Sequence, residues 1–155
     1  MAKCVTYFLG NGIMTPRTRR ETKVEMEIGT LVALDDDGKL IKATNASGGF
    51  KRAIGVITTG SVADLDSSRY HKGYDVLKAG EFQEVYKFFT IGNVPSDEVN
   101  FTSAKLGDPV YLGIDGKMTT TKPSGGDYVQ VVGLVGDKTR QEVECTLIFP
   151  AEVSA

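Results

Sequence analysis

The sequence predicts an all-β protein: a small barrel or sandwich built from two pseudo-repeated hairpin-plus-strand units, with an extended N-terminal arm. Three observations predict this fold. Short runs of residues alternate between apolar and polar, many of the 18 glycines separate these runs as turn residues would, and one stretch of sequence recurs at a fixed offset. With 155 residues, 41% of them hydrophobic, the chain can bury a core and suits one domain plus an extension.

The arm is predicted over residues 1–23, where no helical or strand period is sustained. Its five basic residues against one glutamate give a net charge of +4, so the remainder carries −6 of the total of −2. Such asymmetry suggests an arm with a binding role of its own. Its candidate contact residues are Val5, Tyr7, Phe8, Leu9, Ile13, Met14, Arg17, Arg19 and Arg20.

The β-domain is predicted over residues 24–155. It opens with a half-buried strand at residues 24–28, in which apolar residues alternate with glutamates. An apolar run follows at residues 31–34. The next turn contains Asp37 and Gly38, a dipeptide that favours the type I′ hairpin turn.

The same pattern recurs later in the chain. Residues 29–60 align with residues 107–138 at an offset of 78, without a gap. In both copies a glycine opens a strand, an Asp-Gly-Lys hairpin turn follows, and an apolar-Gly-apolar strand closes the unit. We therefore expect Gly38 and Gly116 to occupy equivalent structural turns with positive φ, where any side chain is strained.

The remaining segments predict further strands and little helix. Residues 74–77 and 84–89 lie between the two copies and predict two strands, and residues 97–104 predict a single helical turn. Residues 143–149 alternate between apolar and polar, which predicts a last strand with one buried face.

No catalytic, cofactor-binding or metal-binding residue is predicted, and we do not expect an enzyme. His71, the only histidine, lies in a polar loop and cannot form a paired-histidine metal site. Cys4 and Cys145 have neither zinc-site spacing nor a disulfide framework, which predicts two reduced thiols. The acidic turn at residues 35–37 lacks the closing glutamate of an EF-hand. A solvated turn is favoured there, with adventitious cation binding as the alternative.

Neither a membrane nor nucleic acid is the expected partner. No apolar stretch approaches the roughly 18–20 residues that a membrane span needs, and the first ten residues lack the pattern of a signal peptide. The basic residues of the arm would allow phosphate contact, but Tyr7 and Phe8 are not interleaved with the arginines. An acidic protein surface is favoured over nucleic acid as the partner of the arm.

Three short segments of the second copy resemble the small cement (decoration) proteins of tailed-phage capsids. They are Gly-Asp-Pro-Val-Tyr-Leu at residues 107–112, Asp-Gly-Lys at residues 115–117, and Val-Val-Gly-Leu at residues 131–134. The resemblance extends over residues 29–149, whereas the arm does not match the common short versions of the family. The resemblance implies a barrel-like structural protein with no catalytic residues.

The resemblance also implies a partner and a location. Such a protein binds the major capsid protein on the outer surface of an assembled head, often as a homotrimer, and stabilises contacts between capsid subunits. It would be part of the virion and be assembled in the host cytoplasm. The alternatives are a head-tail connector or tail-tube component, and a non-specific nucleic-acid-binding β-barrel module.

Overall fold

The computed structural model describes residues 3–6, 17–58, 76–86, 88–146 and 152–153. All regular secondary structure in these ranges is β, which confirms the predicted fold class. The strands are β1 (Cys4–Thr6), β2 (Arg17–Glu21), β3 (Met26–Glu27), β4 (Leu31–Leu34), β5 (Leu40–Lys42), β6 (Gly55–Thr58), β7 (Val76–Leu77), β8 (Phe82–Tyr86), β9 (Phe88–Gly92), β10 (Pro109–Leu112), β11 (Met118–Thr119), β12 (Tyr128–Val129), β13 (Val131–Asp137), β14 (Glu142–Thr146) and β15 (Glu152–Val153).

Within the described ranges, most strands belong to two larger sheets. The first sheet has the order β2-β8-β6-β4-β5, and the second has the order β1-β9-β14-β13-β10-β11. All strand pairs in both sheets are antiparallel. Two short ladders, β3 with β7 and β12 with β15, accompany them. Each sheet holds one copy of the sequence repeat.

The repeat is conserved down to the register of strand pairing. In both copies the first strand of the hairpin lies between its partner and the closing strand, so β5-β4-β6 corresponds to β11-β10-β13. Four Cα pairs match at the sequence offset of 78. They are Ala33–Ile41 with Tyr111–Thr119, Leu34–Leu40 with Leu112–Met118, Leu31–Val56 with Pro109–Leu134, and Val32–Gly55 with Val110–Gly133.

The structural repeat is longer than the sequence repeat. β8 lies beside β6 as β14 lies beside β13, and β2 lies beside β8 as β9 lies beside β14. We call residues 17–86 the first unit and residues 88–146 the second unit. Within the described residues, five strands of each unit form its main sheet, and they follow one shared order: β2-β8-β6-β4-β5 in the first unit and β9-β14-β13-β10-β11 in the second. The sequence offset changes between them because β6 and β8 are joined through residues 59–81, whereas β13 and β14 are joined by residues 138–141.

Two strands lie inside the segment predicted as the arm. β2 pairs with β8 along its whole length, and β1 pairs with β9 at the edge of the second sheet. Thr22 follows β2 and is fully buried, with its hydroxyl donating to the Lys78 carbonyl at 2.7 Å. Residues 17–22 are therefore part of the first unit, and a chain beginning at residue 24 would lack its first strand.

The first sheet curls until its two edges meet. Thr22, at the end of β2, forms a parallel bridge with Leu40, at the start of β5. The next amide, that of Lys23, donates to the Leu40 carbonyl at 2.9 Å. Because β2 and β5 are the two edge strands of this sheet, the bridge joins the two edges of the curled sheet at one end.

Equivalent strand positions supply the inner face of each unit. Alternate residues of a strand point to opposite faces, and the residues that face inward are apolar in both units. In the first unit they are Val32, Leu34, Leu40, Ile54, Ile57 and Val85, and in the second they are Val110, Leu112, Met118, Val132, Val135 and Val143, together with Ile91 of β9.

The outer face of the first unit packs against the second unit. Leu31, Ala33, Ala53 and Val56 are at most 2% exposed, and they share one hydrophobic cluster with the inner face of the second unit. The inner face of the first unit belongs to a separate cluster that includes Met26 and Leu77, from the β3–β7 pair. Each inner face is thus covered by a different part of the chain.

The two hairpin turns share a positive-φ glycine but differ in type. Gly38 has φ +75° and Gly116 has φ +73°. Asp115 also has positive φ, of 55°, as a type I′ turn requires, whereas Asp37 is not among the residues with positive φ. The expected type I′ turn is thus wrong for the first copy. In the first copy, Oδ1 of Asp35 accepts hydrogen bonds from the amides of Asp37 and Lys39, at 3.0 and 2.8 Å. These bonds stabilise a turn over residues 35–37, and Gly38 follows this turn.

The predicted helical turn at residues 97–104 is not a helix in the structure. The chain makes two separate turns there, in which the amide of Val99 donates to Pro95 and the amide of Ala104 donates to Asn100. The Asn100 side chain accepts the amides of Thr102 and Ser103. This local alternative competes with helix continuation.

Substitution of the two turn glycines is expected to have unequal effects. A Cβ on Gly116 would lie 2.4 Å from Cγ2 of Thr30 and 2.7 Å from the Leu31 carbonyl oxygen, whereas the nearest atom to a Cβ on Gly38 is 3.4 Å away. Gly38→Ala should cost about 1 kcal/mol through its backbone conformation, and Gly116→Ala about 3 kcal/mol or more because overpacking is added. Urea unfolding of both variants measures the difference, and equal losses would contradict the packing around Gly116.

Candidate functional site

The structure places the predicted arm residues in three groups. Val5 lies in β1, and Arg17 lies at the start of β2. Arg19 and Arg20 also lie in β2 and are exposed. The other predicted contact residues, together with His71, lie outside the described residues: Tyr7, Phe8, Leu9, Ile13 and Met14.

The basic residues of β2 and its neighbours meet the first hairpin turn. A guanidinium nitrogen of Arg20 donates to the Gly38 carbonyl at 3.5 Å, which brings together two residues that the sequence analysis singled out separately. Nζ of Lys23 lies 2.7 Å from Oδ2 of Asp35. Nζ of Lys39 lies 2.9 Å from a carboxylate oxygen of Glu21. Part of the charge assigned to the arm is therefore balanced within the chain.

The acidic turn at residues 35–37 is organised by protein groups. The hydrogen bond from Lys23 is the largest cause that lowers the pKa of Asp35, followed by the amide of Lys39. The same hydrogen bond raises the pKa of Lys23. Both oxygens of Asp35 already accept hydrogen bonds, and the described residues contain no group of three acidic, histidine or cysteine residues suited to a metal ion.

The second hairpin turn is seated on the first unit. The amide of Gly116 donates to the Ala43 carbonyl at 2.6 Å, and the Gly116 carbonyl accepts the amide of Leu31 at 2.9 Å. The amide of Asn45 donates to the Gly113 carbonyl at 3.1 Å. These backbone bonds place the turn of one repeat in register with the strands of the other, in a contact that we call the joint.

Side chains extend the joint along the connection between β11 and β13. The amide group of Gln130 is fully buried, donates to the Ala53 carbonyl and accepts the Ala53 amide, both at 2.9 Å. The ring of Tyr128 stacks on that of Phe50 at a centroid distance of 4.1 Å and an angle of 12°. A buried polar group with both partners satisfied fixes a unique arrangement of the units.

A nearly buried ion pair completes the joint. Nζ of Lys3 lies 2.7 Å from Oε1 and 2.8 Å from Oε2 of Glu98, and the side chains are 12% and 6% exposed. Oε2 of Glu98 also accepts the amide of Met118 at 2.9 Å, at the start of edge strand β11. Lys3 passes over Gly29, where a Cβ would lie 2.8 Å from its side chain. Sequence reasoning missed this pair because 95 residues separate its members.

A polar cleft of about 320 Å³ opens beside this ion pair. Its lining includes Lys3, Glu98 and Thr30, together with residues 25–28 and 115–117. Charged groups of both signs line it, and its two central charges already satisfy each other. The cleft therefore marks the edge of the joint.

The residues that the structure describes contain no helix long and apolar enough to span a membrane.

The outer face of the second unit is the surface that the joint leaves free. Its four positions correspond to the buried residues on the outer face of the first unit, yet they are exposed or half-buried, and Leu134 is 45% exposed. They form two adjacent cross-strand pairs on β10 and β13. This outer patch consists of Pro109, Tyr111, Val131 and Leu134. The sequence alignment of the two repeats carries a signal for it, because apolar residues persist at these positions.

No protein-family model matches the chain, and no curated protein sequence matches it.

Removal of the Glu98 carboxylate is expected to destabilise the protein strongly. Glu98→Ala leaves the Met118 amide without its acceptor and Lys3 charged and nearly buried, and breaking a buried pair on one side costs about 3–5 kcal/mol. The neighbouring Asp97 is the matched control, because its pair with Lys117 is 3.8 Å long and both side chains are exposed. Asp97→Ala should change the free energy of unfolding by less than about 0.5 kcal/mol.

Chemical denaturation of both variants provides the measurement. The double variant Lys3→Met with Glu98→Met separates charge from packing, because it removes both charges from the joint. It should recover part of the stability that Glu98→Ala loses. Equal stability of the Glu98→Ala and Asp97→Ala variants would contradict the role assigned to the ion pair.

The ion pair between Lys23 and Asp35 predicts that the stability of the protein decreases at low pH. Because the folded-state pKa of Asp35 is lowered, its stabilising contribution exists at neutral pH and is lost as the pH falls through that lowered value. Lys23→Met should move the pKa of Asp35 up toward its ordinary value. The pKa of Asp137 is lowered by the amides of Arg140 and Thr139 and should not move. Titration of the carboxyl carbons by NMR measures both, and an unchanged Asp35 would contradict this account.

Proposed function

We propose that this protein is a structural component of a phage virion that binds the outer surface of the assembled capsid and stabilises contacts between major capsid subunits. The observation that carries the proposal is the outer patch, an apolar surface presented by a body whose two units are fixed to each other at the joint. The resemblance of residues 107–112, 115–117 and 131–134 to capsid cement proteins supports the same role.

The joint suits a protein that must transmit force between neighbouring capsid subunits. Its backbone bonds and the two hydrogen bonds between the Gln130 side chain and Ala53 oppose rotation of one unit against the other. A body that does not bend loses little conformational entropy on docking. Many copies around the shell then act together through avidity, even where each contact is weak.

We propose that the protein assembles as a homotrimer on the capsid surface and that its role there is purely structural. Arg19 and Arg20 are exposed and available for contact with an acidic capsid surface. Screening confines such charge interactions to about 8 Å at physiological salt. We therefore propose that the apolar residues of the arm contribute most of the affinity of that contact.

The test is binding to empty, expanded heads of the phage that encodes the protein. Purified protein should pellet with heads and saturate at one copy for each site of the shell lattice. The number of copies per virion then separates the proposal from its main alternative, since a cement protein occupies every local symmetry point and a connector forms a single ring. Pelleting in the amount of one ring, or only when DNA is present, would overturn the capsid-surface role.

The apolar residues of the arm are expected to matter more than its arginines. Substitution tests this better than deletion, because deletion of residues 1–15 would also remove β1 and Lys3. Replacement by serine at Tyr7, Phe8, Leu9, Ile13 and Met14 preserves both. Burying one such apolar side chain is worth about 1.5–3 kcal/mol before ordering costs, so this variant should lose capsid binding.

The matched variant replaces Arg17, Arg19 and Arg20 by alanine. It should retain most of the binding, and 0.5 M salt should weaken the wild-type complex only in part. If the arginine variant fails to pellet while the serine variant binds normally, the arm acts as an electrostatic tether and this account of its affinity is wrong.

A further inference from the structure

Within the described residues, the edge strands β5 and β11 occupy equivalent positions, but only β5 has a further backbone segment along its outer edge. Thr22 forms a parallel bridge with Leu40 of β5, and the amide of Lys23 donates to the Leu40 carbonyl at 2.9 Å. The residue of β11 that is equivalent to Leu40 is Met118. The Glu98 carboxylate accepts the Met118 amide, and no described backbone amide takes the place of that of Lys23.

In the second unit, the chain turns away from the edge of β11. Extending the shared strand register places Pro95 at the position of Thr22. The Pro95 carbonyl accepts the amides of Glu98 and Val99, both at 3.0 Å, so the chain makes a turn where the first unit continues along its edge. The second unit therefore lacks, among the described residues, the backbone segment that the first unit supplies for itself.

The outer edge of β11 presents backbone groups that its own sheet does not use. Leu112 lies opposite Met118 but donates its amide to the Gln130 carbonyl at 2.9 Å. The amide and carbonyl of Met118 therefore point to the outer edge, and the alternation of an antiparallel ladder gives Thr120 the same orientation. A groove of about 410 Å³ lies beside this edge, and its lining includes residues 117–119 and 121–124.

We propose that the outer edge of β11 binds an extended segment of a partner protein, which joins the second sheet as a parallel strand. One residue of that segment donates its amide to the Met118 carbonyl, as Lys23 does to Leu40, and accepts the Thr120 amide with its own carbonyl. An unpaired strand edge is a template for extended backbone, and strand addition derives its affinity from main-chain hydrogen bonds. No residue of the outer patch lines the groove, so the site is independent of the proposed capsid contact.

The chemistry of the occupant follows from the first unit. There, the same edge of the repeat already accepts a parallel segment through its backbone, and the side chains of Thr22 and Lys23 bond elsewhere, to Lys78 and Asp35. We therefore expect the partner to be recognised by its extended main chain rather than by a particular side chain.

The probes are peptides selected from a random seven-residue library on the immobilised full-length protein. A selected peptide should shift the backbone amide signals of residues 117–121 in NMR spectra. Methylation of its backbone nitrogens, one at a time, should weaken binding about tenfold at the positions that face the edge. It should leave binding nearly unchanged at the positions between them, because alternate residues of a strand point their amides to opposite sides.

Variants of Thr120 test the same contact from the protein side. Thr120→Pro removes the edge amide and should weaken peptide binding about tenfold, whereas the matched control Thr120→Ala keeps the amide and should bind as the wild type does. The urea midpoint checks the folding of both variants. If Thr120→Pro does not fold, the methylated peptides alone decide the question.

Three results would overturn the proposal. The library yields no binder, or the selected peptides shift signals away from β11. Methylation weakens binding equally at all positions or at none. The Thr120 amide exchanges slowly with solvent in the free protein, which would mean that the chain already covers this edge.

Discussion

The second unit cannot cover its inner face with its own strands, and the rest of the structure depends on this constraint. The inward-facing apolar residues of its sheet need a covering layer, and the outer face of the first unit supplies it together with buried residues of the 94–104 segment. The turn at Gly116, the Gln130 amide and the Tyr128 ring are arranged around that contact. The two repeats consequently form one body, in which neither unit has the surroundings of an independent domain.

The edge strands β5 and β11 are equivalent in the two units, but different groups bond to them. The first unit closes by a backbone bridge between Thr22 and Leu40. In the second unit, the Glu98 carboxylate accepts a hydrogen bond from the backbone amide of Met118, which is the counterpart of Leu40. A carboxylate in that position brings a charge into a nearly buried site and needs a cation beside it, which explains why Lys3 reaches across Gly29.

Much of the architecture follows from local sequence signals, whereas the long-range contacts do not. Alternation, the turn glycines and the offset of 78 predict the hairpins and the pairing of the repeats. β2 has the sequence Arg-Thr-Arg-Arg-Glu, which lacks the apolar-polar alternation that predicts a strand. It is a strand because it pairs with β8, and not because one of its faces is buried. The type of the first turn depends on the side chain of Asp35, where the second copy has Gly113. The alignment of the repeats shows that the residues of the outer patch are apolar, but only the burial at equivalent positions shows that they are exposed.

The position of Lys3 in the chain has a consequence for biosynthesis. A ribosome makes Glu98, the partner of Lys3, 95 residues after Lys3 itself, and it also makes the β9 edge that pairs with β1 long after β1. During translation, Lys3 and β1 therefore remain without these partners until β9 and Glu98 have been made. Contacts of such sequence separation form slowly. Lys3 and β1 thus precede the first unit in the chain, but they dock only after part of the second unit has been made.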